Sequence, residues 1–356
     1  MTCNALVLGA SYGSLFGTKL AMAGHRAHLV CTEATAALIN SAGTVVRFPL
    51  RGARSTVDIA SQALPGTVTA SVPDAVDPSD YDLVVLAMQE AQYRVPDVRA
   101  LMRRIAAAGR PCLAIMNMPP LPYLKRIPGL DTAPLESCYA DARVWDGFDP
   151  QCITLASPDP QAFRPQDEPK NVLQVGLPTN FKVAPFEAGG FTELLRQLGS
   201  DIEAARLNTA EGPIEVPVKL KVHDSIFVPL AKWPMLMTGN YRCILPDQMI
   251  SIRDAVHGNV AMSRQIYDWV SELCLHLGAD PDDLVPFEKY AKAAEDLRKP
   301  SAAARALFGG ASHIERVDHL IRRLADQFGR HFEPLHEIAA LVDERLRSNR
   351  AAVEAA

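Results

Sequence analysis

The short run Gly9-Ala10-Ser11-Tyr12-Gly13 follows an apolar stretch at residues 5–8, and Gly17 and Ala21 continue the small residues at four-residue spacing. Gly9 ends the apolar run and lets the backbone turn sharply. Gly13, Gly17 and Ala21 then put a bare stripe on one helix face, so that the helix can lie close on a sheet. The start of such a helix points free N–H groups and a partial positive charge at whatever occupies the turn, and a pyrophosphate is the usual occupant. The turn is one residue shorter than Gly-x-Gly-x-x-Gly, but its place between two strands supports a dinucleotide site. Gly9, Ala10, Ser11, Tyr12 and Gly13 are therefore the expected cofactor-binding residues. Asn117 ends a second apolar run, residues 111–116, and falls at the same ligand-binding sheet edge. Two histidines offer acid–base chemistry: His223 beside Asp224, and His257 in Asp254-Ala-Val-His257. His313, His319 and Glu315 do not have a metal-ligand spacing, so no metal is expected.

The elements that must position these residues alternate between strand and helix. After the first turn and helix, Gly24 stops the chain and a second strand runs to Val30. A helix is expected around residues 34–42, strands at 44–48 and 67–72, a strand at 81–87, a helix at 94–108 and a strand at 111–116. The last two strands are continuous apolar runs, as parallel strands covered on both faces require. Such repetition predicts a doubly wound sheet whose ligands bind beyond the carboxyl ends of its strands, at Gly9 to Gly13, Cys31 to Glu33, Gln89 and Asn117. Residues 138–186 are rich in proline with short strands at 171–175 and 181–184, read as sheet extension and linker. A helix at 191–198 and a strand at 214–222 come next, and helical periodicity dominates from residue 226, with helices at 262–277, 312–328 and 335–346. The reading is an α/β Rossmann-type N-terminal domain over residues 1–186, followed by a mostly α-helical substrate and catalytic domain over residues 187–356.

Length and charge agree. The 356 residues, against about 150 per domain, predict two domains, and 48% apolar content supplies their cores. A net charge of −5 with interspersed signs gives no footprint for nucleic acid or an anionic membrane. The seven cysteines are odd in number and scattered without a Cys-x-x-Cys pair, which suggests reduced core thiols in a cytoplasmic protein. No stretch reaches about 18 uninterrupted apolar residues and the first apolar run lacks a basic leader, so neither a membrane span nor an export signal is expected.

Several segments, in order, resemble the ketopantoate reductase (2-dehydropantoate 2-reductase) family. The opening Val-Leu-Gly9-Ala…Gly13-Ser-Leu-Phe-Gly17…Leu-Ala-x-Ala-Gly24-His25 is similar to the family's start. Ala114-Ile-Met-Asn117 resembles its strand-end Asn. Lys232 and Asn240 resemble its Lys-x3-Asn-x3-Asn helix, Ser312-His-Ile-Glu315-Arg-Val-Asp318 resembles its Thr-Glu-Ile-Asp-x-x-Asn helix, and Pro334 falls where the family has a Thr-Pro turn. The resemblance implies Lys232 and Glu315 as catalytic residues, Asn240 and Asn117 as substrate-binding residues, and Thr32, Gln89 and Asn117 as further contacts to NADPH. Departures are visible: Leu236 replaces the middle Asn of the lysine helix, Gln89 replaces a Lys, Ala303 replaces a Ser, and Thr32 stands where a basic residue contacts the 2′-phosphate. These changes argue against ketopantoate itself as the substrate. Glu33 lies about where an acid reaches a ribose 2′-hydroxyl, which keeps NADH open beside NADP.

The chemistry needs a cofactor to carry a hydride, an acid to protonate the carbonyl oxygen, and donors to fix the substrate carboxylate. An ammonium at Lys232 stabilises a developing alkoxide and can give it a proton, with Glu315 orienting it or bonding the substrate. The expected activity is NAD(P)H-dependent reduction of a small 2-oxo acid or related carbonyl, by a chain for which a homodimer is allowed. Two alternatives stay open: an opine-type dehydrogenase reducing an imine with His223 or His257, and a dinucleotide-binding protein without turnover.

Overall fold

The computed structural model describes residues 2–50 and 56–354. They fall into two compact units. One holds the described residues of Met1–Met88, Gln92–Tyr123 and Arg143–Asp224, and the other those of Gln89–Ala91, Leu124–Ala142 and Ser225–Ala356.

The first unit opens with β1 (Asn4–Leu8), α1 (Tyr12–Met22), β2 (Arg26–Val30), α2 (Glu33–Ala42), β3 (Val45–Pro49), β4 (Thr56–Ala60) and β5 (Thr67–Ser71). Next come β6 (Leu83–Leu86), α3 (Pro96–Ala108), β7 (Cys112–Ile115) and a single turn, α4 (Leu121–Leu124), at the unit's edge. It closes with β8 (Ile153–Ser157), β9 (Gln161–Phe163), β10 (Val172–Leu177), β11 (Phe181–Val183), α5 (Gly189–Ala204), β12 (Leu207–Thr209), β13 (Gly212–Ile214) and β14 (Leu220–Val222). Eight strands form the main sheet in the order β14-β11-β8-β7-β6-β1-β2-β5. The six from β5 to β8 are parallel. β11 runs antiparallel to β8, with β14 parallel to β11. The chain leaves β1 toward β2 and β5, then returns to β6 on the other side, so the order reverses at β1. That reversal point is where doubly wound sheets bind ligands.

β6 and β7 are buried along their whole length, which accounts for their uninterrupted apolar sequences. The bare stripe on α1 works as its spacing predicts. A methyl on Gly13 would come 3.0 Å from Val7 Cγ1, and one on Gly17 would come 3.2 Å from Ala27 Cβ. Glycine thus sets the distance between helix and sheet.

A second sheet of four strands, β4-β3-β10-β9, pairs β3 and β4 with β9 and β10 from the linker region. The strands expected at 44–48 and 171–175 pair in it side by side, with Val45 opposite Val172. Arg47 ties it together, donating to Asp58 and Glu168 at 2.7 Å each.

Two expectations are corrected here. The strand expected across residues 214–222 is interrupted: β13 ends at Ile214 and β14 starts at Leu220. Pro217 has no N–H for a ladder, and the buried Lys19 ammonium takes the carbonyls of Val216 and Pro217 at 2.9 and 3.1 Å. Residues 187–224, assigned by sequence to the second domain, lie in the first unit instead. The apolar face of α5, with Leu195, Leu198 and Ile202, is buried in that unit's core.

The second unit is helical. A tight-turned segment, Val228–Lys232, leads into α6 (Trp233–Met235), followed by α7 (Ile252–His257), α8 (Val260–His276), α9 (Phe287–Ala294), α10 (Ala302–Phe308), α11 (Val317–Gln327) and α12 (Glu333–Glu354). The helix expected at 312–328 begins only at Val317, so Glu315 precedes it. All seven cysteines are free thiols and five are buried; burial pushes the Cys3 thiol up to about 12. Among the described residues, no helix is long and apolar enough to cross a membrane.

Candidate functional site

In the first unit, the glycine turn is sewn to both neighbouring strands. Gly9 N–H donates to Val30 O at 2.9 Å on the β2 side, and Ala87 N–H donates to Leu8 O at 2.9 Å on the β6 side. Gly9 has φ +102°, and a methyl there would come 2.6 Å from Met88 Cγ and 2.9 Å from Ala87 O. No L side chain fits that position without strain. Because the turn is one residue short, α1 starts at once, with Ser11 as N-cap and no side-chain cap bond. The backbone N–H groups at the start of α1 face the switch point, with the positive end of the helix dipole behind them. A turn of this geometry fits a phosphate, and the residues present fit a dinucleotide.

Around the turn, the Ala10 carbonyl accepts Ser14 Oγ at 2.8 Å and Arg164 Nη2 at 2.7 Å. The Tyr12 hydroxyl donates to Pro160 O. Both Pro160 and Arg164 flank β9, so the inserted sheet reaches the glycine turn. Cys31 directly follows β2, its N–H donating to Ser71 O at 3.0 Å. Thr32 caps α2 and is exposed, its hydroxyl donating to Thr35 Oγ1 at 3.0 Å; Glu33, also exposed, is the first residue of α2. Asn117 follows β7 two residues after Ile115 and is half-buried, and Gln89 follows β6 and is exposed. Gly9 to Gly13, Thr32 and Asn117 thus all lie at the carboxyl end of the same parallel strands. His223 follows β14, where its N–H donates to Val183 O at 2.8 Å.

In the second unit, the chain from Val228 winds through the Val228–Lys232 turn and α6 and then widens into a π-turn at Leu236–Asn240. The Tyr290 hydroxyl donates to the Met235 carbonyl at 3.1 Å. It occupies the space a side chain at residue 239 would need, for a methyl on Gly239 would come 2.1 Å from that hydroxyl oxygen. Single π-turns of this kind recur at functional sites. From residue 227 to 240 every side chain is buried except Lys232, Met235 and Asn240, which are half-exposed. The lysine helix therefore presents the two residues singled out by sequence.

Glu315 is 9% exposed, and its Oε1 lies 3.4 Å from the Glu90 N–H. The Glu90 carboxylate in turn accepts the Ala140 N–H at 3.1 Å. Tyr241, adjacent to Asn240, donates its hydroxyl to the Glu315 carbonyl at 2.6 Å and accepts the Val317 N–H at 3.0 Å. Ser301, N-cap of α10, donates to the Asn240 carbonyl at 2.7 Å. The structure so brings Asn240 and Glu315 together through Tyr241. Beneath Glu315, Arg316 bonds the fully buried Asp318 at 2.9 Å and Asp343 at 2.7 Å. Burial pushes the Asp318 carboxyl up, and Arg316 pulls it back. His257 has a bond of its own, Nε2 to Ala291 O at 2.9 Å.

Sequence reasoning missed Tyr241, Ser301 and Arg164. Ser301 carries a legible helix-cap signal, Ser before an alanine run. Tyr241 and Arg164 have none, since only the folded chain brings them to their partners.

No protein-family model matches the chain, and no curated protein does. Solved structures share its fold over nearly its whole length. The 2-dehydropantoate 2-reductase of Methylococcus capsulatus superposes with a TM-score of 0.68 at 14% identity, covering 97% of each chain. D-mandelate dehydrogenase, solved with NADH and anilino(oxo)acetate, gives 0.63 at 14% identity over 97% of this chain and 99% of that one. The dimeric ketopantoate reductase of Staphylococcus aureus gives 0.60 at 10% identity over 97% and 99%. At such identities the likeness is one of fold, and the fold is the one the sequence motifs anticipated.

Proposed function

We propose that this chain is a nicotinamide-dinucleotide-dependent reductase of a small 2-oxo acid or related carbonyl. The observation that carries the proposal is the Gly9 turn, which only glycine fits, at the reversal point of a parallel sheet, opening directly onto the α1 N-terminus. A structure of the same fold, D-mandelate dehydrogenase, was solved with NADH and anilino(oxo)acetate, which supports this ligand class.

When bound, the dinucleotide supplies the hydride. Gly9 to Gly13 would hold its phosphates with backbone N–H groups, and Asn117 would contact it at the end of β7. Lys232 would donate a proton to the substrate's carbonyl oxygen, so that reduction turns a 2-oxo acid into a 2-hydroxy acid. Asn240 binds the substrate, and Glu315 orients the lysine or the substrate. The Tyr241 and Ser301 bonds hold Asn240 and Glu315 in place. Like the Staphylococcus aureus protein, the chain is proposed to act as a dimer.

The test is a panel of 2-oxo acids offered with NADPH and with NADH, following loss of nicotinamide absorbance and identifying the product. The proposal expects stoichiometric formation of one 2-hydroxy acid. Oxidation only when an amine accompanies the oxo acid would favour the opine-type reaction, and tight dinucleotide binding without any turnover would favour a binding protein.

A further inference from the structure

Cys31 and Thr32 follow strand β2, with no basic residue where the ribose 2′-position of a bound dinucleotide is read. A cation nevertheless stands there, delivered from another part of the chain. Arg164 directly follows β9, an edge strand of the inserted four-stranded sheet, and its side chain reaches back to the Ala10 carbonyl at 2.7 Å. Its charge also acts on the Cys31 thiol, so the guanidinium is close to the end of β2 as well as to the glycine turn.

This is a costly place to keep a cation for structural reasons alone. A guanidinium has five N–H donors. Among the described residues Arg164 uses one hydrogen bond, and its buried Nε finds no partner. The acids nearby do not match it: Glu168, in the same insert, is engaged by Arg47 at 2.7 Å. Donors left over on a desolvated cation, beside a phosphate cradle, have the chemistry of an anion site. Arginine meets phosphate with parallel N–H bonds that a carbonyl cannot use.

We propose that Arg164 binds the 2′-phosphate of NADPH, replacing from the inserted sheet the basic residue that β2 lacks. The inference rests on the dinucleotide reading of the glycine turn and adds a coenzyme preference to it. Glu33, at the same strand end, would favour a free 2′-hydroxyl, but it is exposed and its charge is screened by solvent, while the guanidinium is half-buried.

The experiment titrates the full-length protein with NADPH and with NADH by nicotinamide fluorescence, for wild type, Arg164→Gln and Arg164→Lys, with adenosine 2′,5′-bisphosphate as competitor. Wild type should prefer NADPH. Arg164→Gln should weaken NADPH and the bisphosphate at least tenfold and leave NADH within twofold, with Arg164→Lys in between. Retained NADH binding shows that the variant is folded. Unchanged NADPH binding in Arg164→Gln would overturn the inference, and so would an equal loss of both coenzymes, which would put the arginine on the pyrophosphate or in the scaffold. Failure of wild type to bind either dinucleotide would instead bring down the parent reading, and this inference with it.

Discussion

Tyr241 closes a bond between two distant segments: its hydroxyl donates to the Glu315 carbonyl at 2.6 Å and accepts the Val317 N–H at 3.0 Å. The ring is buried, and burial pushes the hydroxyl well above its ordinary value, so it stays a donor at any working pH. Tyr241→Phe leaves a buried carbonyl and a buried N–H unpaired together. It should cost about 1–3 kcal/mol of stability, measured by denaturant unfolding. Because the same bond holds the loop that carries Glu315, turnover should fall more than dinucleotide affinity does. Wild-type stability in Tyr241→Phe would show that the bond is dispensable.

The proposed dinucleotide site leaves no room at Gly13, where a side chain would meet Val7 Cγ1 at 3.0 Å. Gly13→Asp adds that contact and sets a carboxylate beside the phosphate cradle, where the helix N-terminus would otherwise favour the cofactor's charge. Fluorescence titration should detect no binding of NADPH or NADH. Normal binding would remove the glycine turn from the site.

Lys19 gives the first unit a pH-dependent stability. It is 2% exposed, its ammonium donates to Val216 O and Pro217 O, and burial lowers it from an ordinary value near 10.5 to about 7. Lys219 and Arg206 lower it further and Glu215 raises it. Between these two values the unfolded chain holds the proton and the folded chain has released it. Stability from this group therefore rises with pH from about 7 toward 10.5. The melting temperature of wild type should climb between pH 6.5 and 9, and Lys19→Met should flatten that slope. An identical slope in both proteins would contradict the assignment.

The first strand, turn and helix were legible because local residues alone determine them: Gly9 for the turn, and Gly13 and Gly17 for the close approach of α1. The sheet core was legible too, since β6 and β7 announce burial by continuous apolar runs. Where tertiary contacts decide, the sequence was silent. The helix pattern at 312–328 reads straight through Glu315, but Tyr241 and Arg316 pin that stretch as loop, and α11 starts at Val317. The pattern at 214–222 alternates like one strand, yet Pro217 and the buried Lys19 break it. α5 reads as the start of a helical domain because its amphipathic face does not name the core it joins. Lys232 and Asn240 could be picked out by spacing, whereas the π-turn between them depends on Tyr290 from another helix.

The central claim is that Lys232 supplies the proton in a carbonyl reduction, and Lys232→Ala tests it most directly. With the best 2-oxo acid from the panel, turnover should fall about 10²-fold or more, the range for a lost general acid. NADPH affinity should stay within twofold of wild type, since the cradle belongs to the glycine turn. Near-normal turnover in Lys232→Ala, with activity lost instead in His223→Ala or His257→Ala, would contradict the account.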